Sequence, residues 1–472
     1  MSKSAVRVRF APSPTGYMHV GGVRTALFNW LFARAQNGSF LLRFEDTDQE
    51  RLVADAANNI MESLQWLGID WDEGPQVDGD YGPYWQSQRL HIYRRYAEQL
   101  LASGRMYRDW TPPEQLQAMR KEAEQAKRPF KVNRSQLITE GDPQKPHVFR
   151  FAIDPDFDPT WDDIVYGAQN HRAATLDDYV CIKSDGWPTY NFANVIDDHE
   201  MHISHVLRGD EFLTSTPKFL QLYAALGWEP PRFAHVPPVL GPDKAKLSKR
   251  HGALSVLEYR DQGYPPEALI NFLATLGWND GSTQELFTLH ELIDRFQLER
   301  IQNSPAIFDM QRLEWMSGHH IRQMPADKLL QQAARFWPPK AAHFDDTYKQ
   351  HVLALVQERI KYWAELPDLS WFFFRDPDTY PKQLDYDFAR QWLPTVIDKL
   401  NASDFSEDDL EQRLRALAAD YDLKTGQLFQ LIRISATGQT AAPGLFETLH
   451  VLGKEATLRR LHHVSDTAKN MA

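Results

Sequence analysis

The stretch VRVRF, residues 6–10, alternates apolar and basic side chains, the period-two pattern of a strand with one buried face. Pro12, Pro14 and Gly16 then interrupt regular structure. From Gly22 the run VRTALFNWLFARAQNG spaces its apolar residues as a helix does and stops at Asn37-Gly38, a C-cap signal. A second apolar run, SFLLRF, ends in the acidic group Glu45, Asp46 and Asp48, and a further helix runs to Leu67-Gly68. Strand, glycine-rich turn, helix, strand, helix predicts the opening of a doubly wound parallel α/β sheet, which binds phosphates at its first strand-to-helix turn.

The pattern is then interrupted. A helical, basic stretch, PEQLQAMRKEAEQAKRP, precedes the strand-like runs HVFRFAI, DDIVYG and DDYVCIK, with a turn at Asp185-Gly186. These runs predict an inserted α/β domain over 109–187, dividing the sheet domain into 1–108 and 188–252. The doubly wound pattern resumes at PTYNFANVIDD and at SHVLR, a strand. Thr214-Ser215-Thr216-Pro217 reads as the cap of the next helix, which ends at Gly227. Beyond residue 325 strand alternation disappears. SEDDLEQRLRALAADY opens with a capping box from Ser406 to Asp409 and sets Leu410, Leu414 and Leu417 on one face. TAAPGLFETLHVLGKEATLRRL predicts two short helices separated at Gly453. The C-terminal part is thus expected to be an all-α bundle.

At 472 residues the chain needs several domains, and its 42% hydrophobic and 25% charged residues are those of an ordinary globular protein. No apolar run approaches bilayer length and MSKSAVRVRF is not a signal peptide, so a cytoplasmic location is expected. Cys181 is the only cysteine, which rules out internal disulfides and cysteine-based zinc sites. The net charge of −12 argues against a polyanionic partner until its distribution is considered. Arg120, Lys121, Lys127, Arg128, Lys131 and Arg134 face only Glu122 and Glu124, and KAKLSKRH (244–251) is a second basic knot.

RFAPSPTGYMHVGG (9–22) has a mechanical reading. Gly21 and Gly22 let a ligand approach the backbone at a helix start, whose N–H groups favour an anion, and His19 can donate to a phosphate oxygen. The dinucleotide fingerprint G-x-G-x-x-G is absent, which disfavours hydride chemistry. Arg9, Glu45 and Arg208 fall at or near the carboxyl ends of three predicted strands, where such sheets bind ligands. Two guanidiniums and a carboxylate suit a zwitterion, so an acidic amino acid fits. In KLSKRHG (246–252), Lys246 and Lys249 flank Ser248 and can neutralise a triphosphate and departing pyrophosphate. DDHEMHISH (197–205) lacks H-E-x-x-H, so no metal site is expected there.

HVGG at 19–22 followed by KLSKR at 246–250 resembles the paired signatures of class I aminoacyl-tRNA synthetases. RFAPSPTG, LLRFEDTD, PTYNFANVIDDH and LRGDEFLTSTPK narrow the resemblance to the bacterial glutamyl-tRNA synthetase branch, over nearly the whole chain. The resemblance implies a Rossmann-like catalytic domain in two halves (1–108 and 188–252). An inserted acceptor-binding domain (109–187), a helical stem-contact domain (253–325) and an all-α anticodon-binding bundle (326–472) complete the chain. It implies that Arg9, Ser13, Glu45, Tyr190, Asn194 and Arg208 hold glutamate, with Arg208 on its side-chain carboxylate. His19, Gly21, Gly22, Lys246, Ser248 and Lys249 would hold ATP, and His19, Lys246 and Lys249 would act in catalysis. Arg433, Thr440 and Pro443 would lie near the anticodon. The implied partners are L-glutamate, ATP with Mg2+ and tRNA-Glu, with no membrane partner, and a monomer is expected; some relatives carry a Cys/His zinc knuckle in the inserted domain, but residues 98–130 have no cysteine here, so no protein-bound zinc is expected. The loop carries Leu247 and Arg250 where the general class pattern has methionine and serine, and both lysines are kept.

Overall fold

The computed structural model describes residues 5–127, 130–132, 134–245, 247 and 254–471. Two compact units emerge: residues 1–260 with 269–310, and residues 261–268 with 311–472. Among the described residues no helix is long and apolar enough to cross a membrane.

The first unit is built on parallel strands. β1 (Arg7–Phe10) is followed by α1 (Val20–Ala35) and β2 (Ser39–Leu42), and β1 pairs with β2 in parallel register, Arg9 opposite Leu41. α2 (Ala56–Trp66) and α3 (Leu90–Ala102) come next. The interruption begins with β3 (Met106–Asp109) and α4 (Pro113–Gln125). It continues through β4 (Val148–Phe151), the hairpin β5 (Thr160–Asp163) and β6 (Gly167–Asn170), and β7 (Tyr179–Ile182). β3, β4 and β7 form an antiparallel sheet, so this part differs in kind from the parallel strands around it. α5 (Tyr190–Glu200), β8 (His205–Gly209), α6 (Thr216–Leu226) and β9 (Arg232–Val236) resume the winding, and β8 and β9 are parallel. Ser204 N donates to Arg7 O at 2.9 Å, joining the start of β8 to that of β1. The hairpin is tied to β9 by Ile164 N donating to Phe233 O at 2.9 Å.

Local differences from the sequence pattern have clear causes. α1 begins at Val20, before the expected Gly22, because the His19 ring caps it and Gly22 N donates to His19 Nδ1 at 3.2 Å. The expected cap before α6 is instead a 3₁₀ turn over Asp210–Ser215, and the Ser215 side chain makes no cap bond. Pro217 does lie in the first turn, and Gly227 (φ 70°) ends the helix in the left-handed conformation that glycine adopts without strain.

The second unit is helical over its described residues beyond Ala326, and its core includes Leu410, Leu414 and Leu417 from the helix Glu407–Asp420, all fully buried. The capping box there is one-sided. Ser406 Oγ accepts from Asp409 N, but the Asp409 carboxylate is taken by Asp404 N and Arg413, so the reciprocal bond is missing. The helices on either side of Gly453 are Leu445–Leu452 and Lys454–Asn470. The second is long rather than short because Leu461, Val464 and Ala468 continue the buried stripe.

Candidate active site

The turn between β1 and α1 is held by its own backbone. Glu45 N donates to Pro12 O at 3.0 Å and Val53 N to Pro14 O at 3.1 Å, so the two prolines, which have no N–H to give, serve as acceptors. Ser13 is exposed on this turn. A Cβ added at Gly21 or Gly22 would meet only the His19 ring and Met18 sulfur at 3.5 Å or more. Protein packing therefore does not demand glycine here, and the missing Cβ leaves room for a ligand at the helix start, where Gly22 N is taken by His19 Nδ1. Lys246, Ser248 and Lys249 lie outside the described residues. The chain that follows them does not: Ser255 bridges His19, and Val256 N donates to Met18 O at 3.1 Å. The segment after residue 253 thus runs beside the histidine-glycine turn.

Below this turn lies a buried charge cluster. Arg9 forms a bidentate pair with Asp198, Nε to Oδ1 at 2.9 Å and Nη2 to Oδ2 at 3.1 Å. Arg43, fully buried, pairs with the same Asp198 at 2.9 Å and with Glu45 at 3.2 Å. Asp197 receives Arg89 Nε at 2.7 Å, the Tyr93 hydroxyl at 2.8 Å and Gln86 Nε2 at 2.9 Å. Burial works against the Asp198 charge, yet Arg9 and Arg43 hold its carboxyl below the usual range. At Glu45 burial prevails over Arg43 and Arg9 and pushes the carboxyl up to about 7.

Arg208, at the end of β8, is 6% exposed. Its guanidinium lies over Phe219 at 4.6 Å, Phe212 at 5.3 Å and Phe233 at 5.6 Å. Its Nε donates to His235 Nε2 at 3.2 Å and its Nη2 to Thr216 Oγ1 at 2.9 Å. Among the described residues it forms no ion pair with a carboxylate, and burial pulls it below the ordinary arginine value. Tyr190, whose hydroxyl burial raises, is close enough to feel Arg208, Glu45 and Arg9. Both polar side-chain atoms of Asn194, 1% exposed, lack a hydrogen-bond partner of ordinary geometry. A buried amide left in this state is unusual and suits a ligand that completes it.

The structure thus brings Arg9, Glu45, Tyr190, Asn194 and Arg208 together, with His19, Gly21 and Gly22 at the adjoining turn. Asp197 and Asp198, in the stretch DDHEMHISH expected to hold no metal, are satisfied polar side chains beside this pocket, whereas Arg43, Arg89, Asp163 and His235 were not singled out as site residues. A signal existed for several: FLLRF, NVIDD and FAHVP each place a charged or titratable residue inside or at the end of an apolar run, which predicts a buried and therefore partnered group. In the second unit Arg433 is half-buried. Burial first, then the neighbouring Arg359, pulls it below the ordinary arginine value, and Arg359 donates to Ala442 O at 2.6 Å, next to Pro443. Thr440 is exposed.

Residues 5–315 match the family described as tRNA synthetases class I (E and Q), catalytic domain, and residues 328–465 match an anticodon binding domain. The parallel sheet, the histidine-glycine turn and these matches define a class I aminoacyl-tRNA synthetase. The glutamate-tRNA ligase of Dehalococcoides mccartyi is 45% identical over 468 residues, covering 97% of each chain. That of Moorella thermoacetica is 43% identical over 478 residues, again 97% of each. A crystal structure of a glutamate tRNA ligase from Elizabethkingia meningosepticum in complex with its amino acid superposes with a TM-score of 0.91 at 33% identity, covering 98% of this chain and 100% of that one. The chain belongs to the glutamate-tRNA ligase family.

Proposed function

We propose that this protein activates L-glutamate with ATP to glutamyl-adenylate and transfers the glutamyl group to the 3′-terminal adenosine of tRNA-Glu. The single observation that carries the substrate assignment is Arg208, a buried guanidinium with aromatic walls and no carboxylate partner among the described residues. Arg9, Arg43 and Arg89 pair with the three carboxylates of Glu45, Asp197 and Asp198, and Arg208 pairs with none among the described residues. With Glu45 ionised the excess is one positive charge, and glutamate as a zwitterion with an ionised side chain brings one negative charge. Glutamine has the same shape but would leave Arg208 buried and unpaired.

In this reading Arg208 takes the side-chain carboxylate and Glu45 the α-ammonium. Asn194 and Tyr190 close the polar wall, while Arg9, already engaged by Asp198, and Ser13 border the α-carboxylate. His19 and the backbone of Gly21 and Gly22 orient the phosphates, with Lys246, Ser248 and Lys249 covering them. The α-carboxylate attacks the α-phosphorus in line, the bond to pyrophosphate breaks, and the departing charge is balanced by the lysines and His19. The terminal ribose hydroxyl, the 2′-OH, then attacks the activated carbonyl and AMP leaves. Mg2+ would accompany ATP, held mostly by the phosphates and water, and would supply charge neutralisation there. Residues 109–187 receive the acceptor end, 253–325 the stem and 326–472 the anticodon, with Arg433, Thr440 and Pro443 near its bases. We further propose that the protein acts as a cytoplasmic monomer and needs no bound zinc.

Charging unfractionated tRNA with labelled glutamate, and in parallel with glutamine, tests the proposal. Glutamate is expected to be incorporated and glutamine rejected by a factor of about 10⁴, as befits a site with a buried group that only one of them can pair. Absence of glutamate incorporation rejects it.

The elevated Glu45 predicts a proton linkage. Burial pushes the Glu45 carboxyl up to about 7, whereas an ammonium ligand requires the ionised form. Glutamate affinity should therefore rise with pH up to about 7 and then level off, with proton release on binding near pH 6.5. The stability trend of the ligand-free protein is opposite. A folded value above the unfolded one gives stability that is complete below about 4.5 and lost as pH rises through about 7. Calorimetry of glutamate binding in two buffers of different ionisation enthalpy measures the release. Heats that do not depend on the buffer, or the same dependence in Glu45→Gln, would count against this linkage.

A further inference from the structure

Arg208 is oriented by a chain of contacts that leads out of the parallel sheet. Asp163, at the end of β5, and His235, in β9, are both fully buried, and His235 Nδ1 lies 2.5 Å from Asp163 Oδ2. The other carboxylate oxygen accepts from three backbone groups: Val165 N and Tyr166 N at 3.1 Å each and His235 N at 3.3 Å. With Oδ1 fixed as an acceptor, Oδ2 is left to take the proton-bearing Nδ1 of the ring. The far nitrogen, Nε2, is then bare. It has to be, for it receives Arg208 Nε–H at 3.2 Å, and its other neighbour, Thr216 Oγ1, gives its hydrogen to Phe212 O. Thr216 Oγ1 in turn accepts from Arg208 Nη2. Burial pulls the His235 ring below the ordinary histidine value against the pull of Asp163, which favours the neutral ring. The same turn reaches the residues after β8, because the Tyr166 hydroxyl donates to Asp210 at 2.9 Å.

We propose that Asp163 and His235 are positioning residues for selection of the amino acid, acting through Arg208. The carboxylate fixes the ring tautomer, and the bare Nε2 locks the rotation of the guanidinium without neutralising it. A carboxylate in the place of His235 would hold Arg208 equally well and cancel the charge that the substrate has to meet. A neutral acceptor gives orientation and leaves the full positive charge for the ligand, and the aromatic walls keep water from diluting it. This inference rests on the reading that Arg208 meets the substrate side chain.

Asp163→Asn is the sharpest variant because it changes one atom. The three backbone donors keep Oδ1 an oxygen, so the new amide nitrogen faces His235 Nδ1 and forces the proton to Nε2, against Arg208 Nε–H. The Michaelis constant for glutamate is expected to rise about tenfold or more, with kcat and the constants for ATP and tRNA within about threefold of wild type. His235→Ala should do the same. His235→Gln, whose side-chain oxygen can stand near the position of Nε2, should stay within about threefold. Nitrogen-15 NMR of the wild-type ring should show Nδ1 protonated and Nε2 bare, and the reverse in Asp163→Asn. Wild-type Nε2 carrying the proton overturns the proposal without need of any variant. So does Asp163→Asn with unchanged glutamate constant and only a lower melting temperature, or His235→Gln performing no better than His235→Ala. Wild-type protein that charges no glutamate, or Arg208 variants with normal glutamate binding, would remove the underlying reading. Charging by wild type and loss in Arg208 variants, with Asp163 and His235 variants indifferent, would remove this inference alone.

Discussion

Replacing Arg208 by leucine is expected to reduce kcat/KM for glutamate by about 10³-fold or more, measured as tRNA charging or pyrophosphate exchange in the presence of tRNA. The magnitude follows from what the substitution leaves behind. A glutamate side chain would enter a pocket walled by Phe212, Phe219 and Phe233 with its carboxylate desolvated and unpaired. Leucine fits such walls, so folding should survive, and the discrimination between glutamate and glutamine should collapse because neither ligand has a charge to meet. Arg208→Lys is expected to fall between the two. It keeps the charge but cannot hold His235 Nε2, Thr216 Oγ1 and a carboxylate in one plane. A loss of tenfold or less in Arg208→Leu, with glutamine still refused, would show that another group reads the side chain.

Asp197→Ala should have the largest effect on stability. Asp197 is fully buried and takes Arg89, Tyr93 and Gln86, with Arg43 at 3.8 Å. Removing it leaves Arg89 without its carboxylate and weakens the field that holds Arg43 charged. Burial alone disfavours the Arg43 guanidinium charge, and Asp198, Asp197 and Glu45 outweigh that burial. Breaking a buried pair on one side costs about 3–5 kcal/mol, because the remaining charge has no water to turn to. Denaturant unfolding followed by tryptophan fluorescence should show that loss. The control is Glu411→Ala, which removes the exposed partner of Arg415 and should change stability by less than about 1 kcal/mol. Similar small effects of both substitutions would mean that the buried network contributes far less than its burial implies.

The parts of the site that were legible beforehand share a property. Arg9, Glu45 and Arg208 stand where a strand pattern ends, and strand ends in a parallel sheet all open on one edge, so their convergence follows from topology before any coordinate is known. His19, Gly21 and Gly22 are legible because the chemistry of a helix start is local. Asn194 and Tyr190 were reached through resemblance, and the reason they matter, an unsatisfied buried amide beside a phenol, is visible only in space. Asp163 shows the limit most clearly. It lies 72 residues from His235 in a hairpin of the interrupting segment, and neither periodicity nor a motif connects the two.

The sequence by itself determined the order of the main elements, the parallel winding, the glycine-rich turn ahead of the first helix and the helical C-terminal part, and it pointed to an acidic amino acid as ligand. These are set by periodicity, glycine and proline placement and charge at element ends, all of which act within a few residues. Only the tertiary structure decided which charges cancel. Arg9 is paired by Asp198 and Arg43 is held between two carboxylates, whereas Arg208 meets only neutral acceptors and aromatic faces. Electrostatic selectivity depends on distance and burial between groups far apart in the chain, and folding fixes both.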